Sequence, residues 1–197
     1  VETAGSELLP TAFRAAAEAC PHATLYLNER MNCVDEYECE MHFEALHDLM
    51  LNLVGRGVPV HGVGIGLSHQ VFNDYELIAD EQLPSTTDAY GNKQPLYSLL
   101  PPRLLARWIA ALGALNEDRM RVRVSSLECA VFSYSEDPEV EASSLWLQSE
   151  LYAGSVGACL SHSSCEAVSV GDVTDAMPAE ATRSTRRALW DATGSPT

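Results

Sequence analysis

Apolar residues recur along this chain with two alternating periods, one near four and one of short unbroken runs. Ser6 to Ala19 reads as a helix that Ser6 can cap, with Pro10 tolerable near its start and Pro21 closing it. Ala23 to Asn28 is a short apolar strand. Asp35 to Val54 predicts a second helix, with Tyr37, Met41, Ala45, Leu49 and Leu53 spaced by four, and Gly55 and Gly57 stop it. Pro59 to Leu67 is a Gly-rich buried strand. Pro101 to Leu115 predicts a third helix with Leu104, Leu105, Trp108 and Leu112 on one face. Met120 to Cys129 is a third strand with Val122 and Val124 on one side. Pro138 to about Leu160 is a fourth helix, Cys165 to Val170 a fourth strand and Ala179 to Ala192 a last helix.

The order is therefore α-β-α-β-α-β-α-β-α, which implies a parallel sheet with crossover connections in a single domain over residues 1–197. Residues 68–100 form a long polar segment, read as a loop insertion that is either functional or ill-ordered. No internal repeat at a fixed period and no low-complexity tract occurs.

The 46% hydrophobic content suffices for a sizeable core and separates the chain from disordered sequences. A net charge of -16 excludes nucleic acid as a partner, because phosphate binding needs clustered Lys and Arg. It also disfavours anionic membranes and anionic polymers; a neutral or cationic ligand fits better. No stretch of 18 apolar residues exists, so no membrane span is expected. The chain starts at Val1 without an initiator Met or a signal-like segment, and is expected to be a processed product or a gene fragment.

Six cysteines, at positions 20, 33, 39, 129, 159 and 165, are compatible with disulfides without demanding them. No Cys-x-x-Cys occurs, so a zinc ribbon is not expected. His42 and His47 lie five apart on a helix, not the four that a shared metal face needs. Gly62, Gly64 and Gly66 imitate a phosphate loop only superficially, since no helix N-terminus follows at once. Neither a metal nor a cofactor is expected.

The last strand carries the most specific chemistry. Cys159-Leu160 is followed by Cys165-Glu166-Ala167-Val168-Ser169-Val170-Gly171-Asp172-Val173-Thr174-Asp175, which delivers Val-Thr-Asp to the end of a buried strand. The stretch resembles the last strand of glycoside hydrolase family 10, the retaining endo-xylanases, which reads C-L-x4-C and then G-I-T-V-W-G-V-T-D. Gly171 stands where that family has its tryptophan. Three further segments carry the resemblance. Ala12-Phe13-Arg14 to Cys20-Pro21 is similar to A-F-R-x-A-x-x-A-D-P, and Leu25-Tyr26-Leu27-Asn28-Glu29-Arg30-Met31 to L-Y-x-N-D/E-Y-N. Gly55 to Gly64 follows A-R-G-V-P-I-D-G-V-G, with only Gly55, Val60 and His61 departing.

The resemblance runs from about Ser6 to Asp175 and covers only the C-terminal half of a family barrel. It implies an α/β fold of the TIM (β/α)8-barrel type, reduced to strands five to eight with their helices. Four such strands do not close alone, so the chain would pair with another copy, dock on a missing N-terminal half, or be marginally stable. For the parent protein the resemblance implies secretion and hydrolysis of β-1,4-xylosidic bonds in xylan by a retaining mechanism. The alternative is a non-catalytic carbohydrate-binding or structural remnant of such a barrel.

The family's acid/base glutamate lies in W-D-V-V-N-E at the end of its fourth strand, a motif this chain does not contain. Its nucleophile lies in I-T-E-L-D, which matches Val124-Ser125-Ser126-Leu127-Glu128 here. Ungapped, Ser126 takes the nucleophile position, and a serine hydroxyl cannot supply the anionic nucleophile of a retaining glycosidase. Ser126 and Glu128 share a face by the period of two, so a slide of two residues would make Glu128 the candidate catalytic nucleophile. The resemblance also leaves Asn28, Glu29 and Asp175 as substrate-binding candidates, each also open to a structural role, which for Asp175 is capping the loop after its strand. Gly66 and Ser68 stand where the family places a Gln and a His; His69 arrives one residue late, and a one-residue bulge would restore it to the site. Arg30-Met31 replaces the family's Tyr-Asn.

Family members with C-L-x4-C bridge that pair, so the resemblance implies a Cys159–Cys165 disulfide worth roughly 2–3 kcal/mol and an oxidising compartment. Cys33 and Cys39 could also pair, although Cys39 falls within a predicted helix. With the acid/base motif absent and Ser126 at the nucleophile position, the chain alone is expected to be inactive.

Overall fold

A computed structural model describes residues 2–31, 33, 36–73, 85–87, 93–95, 97–98, 100–133, 138–171 and 185–186. Its elements are α1 (Glu2–Ala19), β1 (Tyr26–Met31), α2 (Glu36–Gly55), β2 (Gly62–Asn73), β3 (Ser85–Thr87), β4 (Lys93–Pro95), β5 (Tyr97–Ser98), α3 (Pro102–Gly113), α4 (Leu115–Asp118), β6 (Arg121–Ser133), α5 (Pro138–Leu160), β7 (Cys165–Val170) and β8 (Thr185–Arg186). The long strands pair in the order β1-β2-β6-β7, and every pair is parallel. This is the expected alternation of helix and strand, and it has the shape of half a TIM barrel.

Helices α2, α3 and α5 cover one face of the sheet, and the core lies between. Val63, Ile65 and Leu67 of β2 interlock there with Val122, Val124 and Leu127 of β6, with Leu104, Leu105, Trp108 and Leu112 of α3, and with Phe43 and Met50 of α2. Trp108 is completely buried and stacks on Phe43 with ring centroids 4.8 Å apart. The predicted face of α3 is thus the buried one. On α2 the stripe spaced by four is not: Tyr37 and Met41 are exposed, and the buried residues are Cys39, Phe43, Leu46, Met50 and Leu53. Steps of four advance 400° and drift around a helix, whereas alternating steps of four and three stay on one side. Outside the core, Arg103 pairs with Glu36 at 2.9 Å and Arg107 with Glu40, one turn apart along α2 and α3.

Strand bounds also shift toward the C-terminal end. β1 starts at Tyr26 rather than Ala23 and takes in polar Asn28, Glu29 and Arg30, because its partner β2 continues past them. β2 runs on through Ser68–Asn73 and β6 to Ser133, so the first six residues of the expected loop are strand. Beyond the ends of β1 and β7, β5 pairs with β2 at Gln70–Val71 and β8 with β6 at Val131–Phe132, both antiparallel. The helix expected over Ala179 to Ala192 falls outside the described residues, except that Thr185–Arg186 is strand.

Two disulfides are present. Cys159–Cys165 is the expected bridge, with Cα atoms 5.3 Å apart. Cys33–Cys39, which the sequence left open, is bridged as well, with Cα atoms 5.0 Å apart. Helical geometry does not prevent it: Cys39 sits at the start of α2, turned into the core, and Cys33 in the preceding connection lies within bridging range.

Candidate functional site

The face of the sheet opposite the helices is concave and polar. Strand alternation assigns its side chains. On β1 they are Tyr26, Asn28 and Arg30, while Leu27 and Met31 pack toward the helices. On β2 they are Gly62, Gly64 and Gly66, each lying beside its β1 neighbour: a Cβ added to Gly62 would strike Tyr26, and one on Gly64 would strike Asn28. These glycines give room where β1 leans its long side chains across β2.

On β6 the alternation is broken once, and the break decides the site. The β2–β6 register passes from Ile65↔Val124 to Gly66↔Ser126, which leaves Ser125 as an extra residue, a β-bulge. Before it, Val122 and Val124 face the core and Arg121 and Arg123 the concave side. Strict alternation would then send Ser126 and Glu128 into the core. After the bulge Leu127 and Cys129 are the fully buried residues, and Ser126 and Glu128 are turned to the concave side.

Glu128 sits near the C-terminal end of the sheet. Ser126 Oγ donates to its Oε1 at 3.1 Å, and Arg30 reaches Oε2 at 3.2 Å. Gly171, at the end of β7, lies alongside: a Cβ there would come within 3.1 Å of Glu128 Cγ. The family-like tryptophan position is therefore next to Glu128, whose side chain packs against the glycine. The Glu128 side chain is 34% exposed, so a ligand on the concave face can reach it.

A second cluster occupies the opposite, N-terminal end of the same face. The Arg123 guanidinium lies 3.4 Å over the centroid of the Tyr26 ring, a cation–π contact, and the Tyr26 hydroxyl donates to Glu166. Arg123 and Arg121 approach the Glu166 carboxylate at 3.4 and 3.7 Å. Glu166 and Glu128 are the carboxylates that the four long strands place on the concave face. Gly171, the neighbour of Glu128, lies five positions beyond Glu166, which is roughly 16 Å of strand rise. A glycosidase pair works at about 5–5.5 Å when retaining and about 6.5–9.5 Å when inverting. Glu128 and Glu166 are therefore not such a pair.

The remaining sequence candidates separate. Asn28 lies on the concave face between the two clusters, beside Gly64. Glu29 has the opposite parity and bonds His42 Nε2 of α2 at 3.0 Å, on the helix side. His69 continues the buried series Val63, Ile65, Leu67 and is 2% exposed, because the bulge lies on β6 and not on β2. Neither Glu29 nor His69 is brought to Glu128. Asp175 lies outside the described residues. The residues that the sequence reading missed are Arg30 as the partner of Glu128, and the Tyr26–Arg123–Glu166 cluster. Alternation on β6 held a clue to the second, since Arg121 and Arg123 must oppose Val122 and Val124.

Among the described residues no group of three His, Cys, Asp or Glu could hold a metal ion, and no helix is long and apolar enough to cross a membrane. Cys129, adjacent to Glu128, is no nucleophile: burial desolvates its thiol and pushes it up to about 12 from an ordinary 9.0.

Residues 1–89 match the family described as glycosyl hydrolase family 10. A comparison with curated proteins finds no match. Among solved structures, native xylanase 10B from Thermotoga maritima matches 98% of this chain and 49% of its own, at 21% identity and a TM-score of 0.64. Xylanase 10B from Thermotoga petrophila RKU-1, in complex with xylobiose, matches 96% and 48%, at 18% identity and a TM-score of 0.61. TsXylA, an intracellular xylanase from Thermoanaerobacterium saccharolyticum, matches 96% and 47%, at 18% identity and a TM-score of 0.59. The chain thus spans about half the length of the structures it matches.

Proposed function

We propose that this chain, whose residues 1–89 match glycosyl hydrolase family 10, is the ligand-binding C-terminal part of a xylan-acting barrel and that on its own it does not hydrolyse xylan. The concave face binds a segment of a β-1,4-linked xylan-type polysaccharide. Asn28 and Arg30 offer hydrogen-bond donors to sugar hydroxyls beside the partly exposed Glu128. Asp175, at the end of the same last strand in sequence, is a further candidate contact.

The observation that carries this reading is that, among the described residues, Glu128 has no second carboxylate at catalytic distance. It stands at the C-terminal end of the sheet, where barrel enzymes place their chemistry, held by Ser126 and Arg30. A retaining mechanism needs a second carboxylate that protonates the leaving oxygen. Among the described residues the concave face supplies Glu166 as the other carboxylate, far down the sheet and held by Tyr26, Arg121 and Arg123. In a longer protein an N-terminal half, added along the edges that β1 and β7 leave unpaired among the described residues, would supply that acid, with Glu128 as nucleophile. Two disulfides favour an oxidising compartment and hence secretion.

Hydrolysis of soluble xylan and an aryl xylobioside by the purified chain, beside Glu128→Gln, tests the proposal. No turnover by either protein, with a cooperative unfolding transition intact, is the expected result. Turnover by the chain that disappears in Glu128→Gln would overturn it, since Glu128 would then be working with an acid already present.

A further inference from the structure

Helix α2 carries two apolar stripes, and the fold buries one of them. Cys39, Phe43, Leu46, Met50 and Leu53 turn into the core, while Tyr37 and Met41, one turn apart, are 73% and 53% exposed. Single apolar residues on a surface need no explanation. These two line one cavity, of about 680 Å³, which opens to solvent between α2 and α3. Phe43, Glu44 and Ala111 line it too, and the same three line a second cavity of about 230 Å³ that extends the groove to His47 and Asp48. From Tyr37 to Asp48 the groove follows roughly 16 Å of helix rise. Its floor is held from below, because Phe43 is stacked on the buried Trp108.

The charge along this groove is one-sided. Arg107 of α3 is taken by Glu40, and Arg103 by Glu36 one turn earlier, so these pairs cancel. Glu44 and Asp48 are exposed and have no ion-pair or hydrogen-bond partner among the described residues. Like charges four apart on a helix repel, and a cation laid against both would relieve that. His47 sits with its ring 5.9 Å from that of Phe43 and is not counted as a charge. An apolar floor with an unbalanced acidic rim fits an occupant that is apolar on one side and basic beside it. Such an occupant is helical rather than extended. The backbone groups of α2 and α3 are satisfied within the helices and leave a strand nothing to pair with, whereas a helix brings its own backbone bonds and sets apolar anchors one turn apart.

We propose that the α2–α3 groove docks an amphipathic basic helix of a partner protein, with its apolar face on Tyr37 and Met41 and its Lys or Arg side chains against Glu44 and Asp48, independently of any ligand on the concave face. The test is a titration of the full chain with a leucine–lysine peptide patterned at period 3.6, beside a leucine–glutamate peptide of the same pattern and a scrambled leucine–lysine peptide, at constant ionic strength and following backbone amides. Saturable shifts are expected at Tyr37, Met41, Glu44, Asp48 and Ala111 with the first peptide and with neither of the others. Tyr37→Ser and Asp48→Lys are each expected to weaken binding about tenfold or more. Glu18→Lys, an exposed change on α1 with the same effect on net charge as Asp48→Lys, is the control and should bind like the parent, which separates the groove from a general attraction to an acidic chain. If Tyr37→Ser does not fold, Met41→Ser at another exposed side chain serves in its place. Absence of saturation, equal binding of either comparison peptide, unchanged affinity in a groove variant, or an equal loss in Glu18→Lys would each overturn the proposal. Shifts at the same amides on concentrating the chain alone would overturn it too, since a second copy would then be the occupant.

Discussion

The two faces of the four-strand sheet obey opposite rules. Toward the helices, Val63, Ile65, Leu67, Val122, Val124 and Leu127 form an unbroken apolar layer with almost no exposed surface. Toward the concave side the same strands carry Gly62, Gly64, Gly66, Asn28, Arg30, Arg123 and Glu128. A closed barrel fills its interior with layers of bulky branched residues. Here those layers are replaced by glycine and charge, tied together by ion pairs rather than by packing. Stability therefore resides on one face and ligand chemistry on the other, and the two should respond differently to substitution.

The largest contrast is expected at Trp108. Trp108→Ala removes a fully buried ring stacked on Phe43 and should cost about 3–5 kcal/mol in urea unfolding. A loss below about 1 kcal/mol would show that the helix-side core is not what holds the sheet. The concave face has one position that should behave like a core residue. Gly64→Val would drive a side chain into Asn28 and Ser125 and should cost about 1–3 kcal/mol in the same assay, although Gly64 faces away from the helices. Arg30→Ala removes a half-exposed ion pair with Glu128 and should change stability by less than about 1 kcal/mol. A larger loss would make the Arg30–Glu128 pair structural and weaken its assignment to a ligand surface.

The smallest effect concerns Cys129, which stands next to Glu128 in sequence but on the core face. Its thiol is raised in the fold from 9.0 to about 12, so the folded state keeps a proton that the unfolded state loses first. Its contribution is fully present below about pH 9 and is lost as pH rises toward about 12. Cys129→Ala should flatten that part of the stability–pH curve without altering its slope near neutrality. Alkylation of the native protein should modify exposed Cys20 and spare Cys129.

Much of this arrangement was legible in the chain itself. The α/β alternation, the buried face of α3, the bounds of α5 and β7 and the Cys159–Cys165 bridge follow from period, turn residues and the family resemblance. The site was legible only in part. Ser126 and Glu128 share a face by simple alternation, but which face depends on the bulge at Ser125, and nothing in Val-Ser-Ser-Leu-Glu announces an extra residue. The same event explains His69. A bulge on β2 would have turned it to the concave side; the bulge on β6 leaves it buried. Glu29 shares the parity of Leu25 and Leu27, which pack on the core, and so it turns to His42 on the helix side. Pairing across strands, rather than the pattern within one, decided Glu128 and His69.

The most direct test of the division between faces is titration of the full chain with xylotetraose, following backbone amide resonances, beside Asn28→Ala. The account predicts saturable shifts concentrated at Asn28, Arg30, Glu128 and Gly171, weakened in Asn28→Ala, with the amides of α2 and α3 unmoved. Absence of saturable shifts, or shifts centred on the helical face, would contradict it.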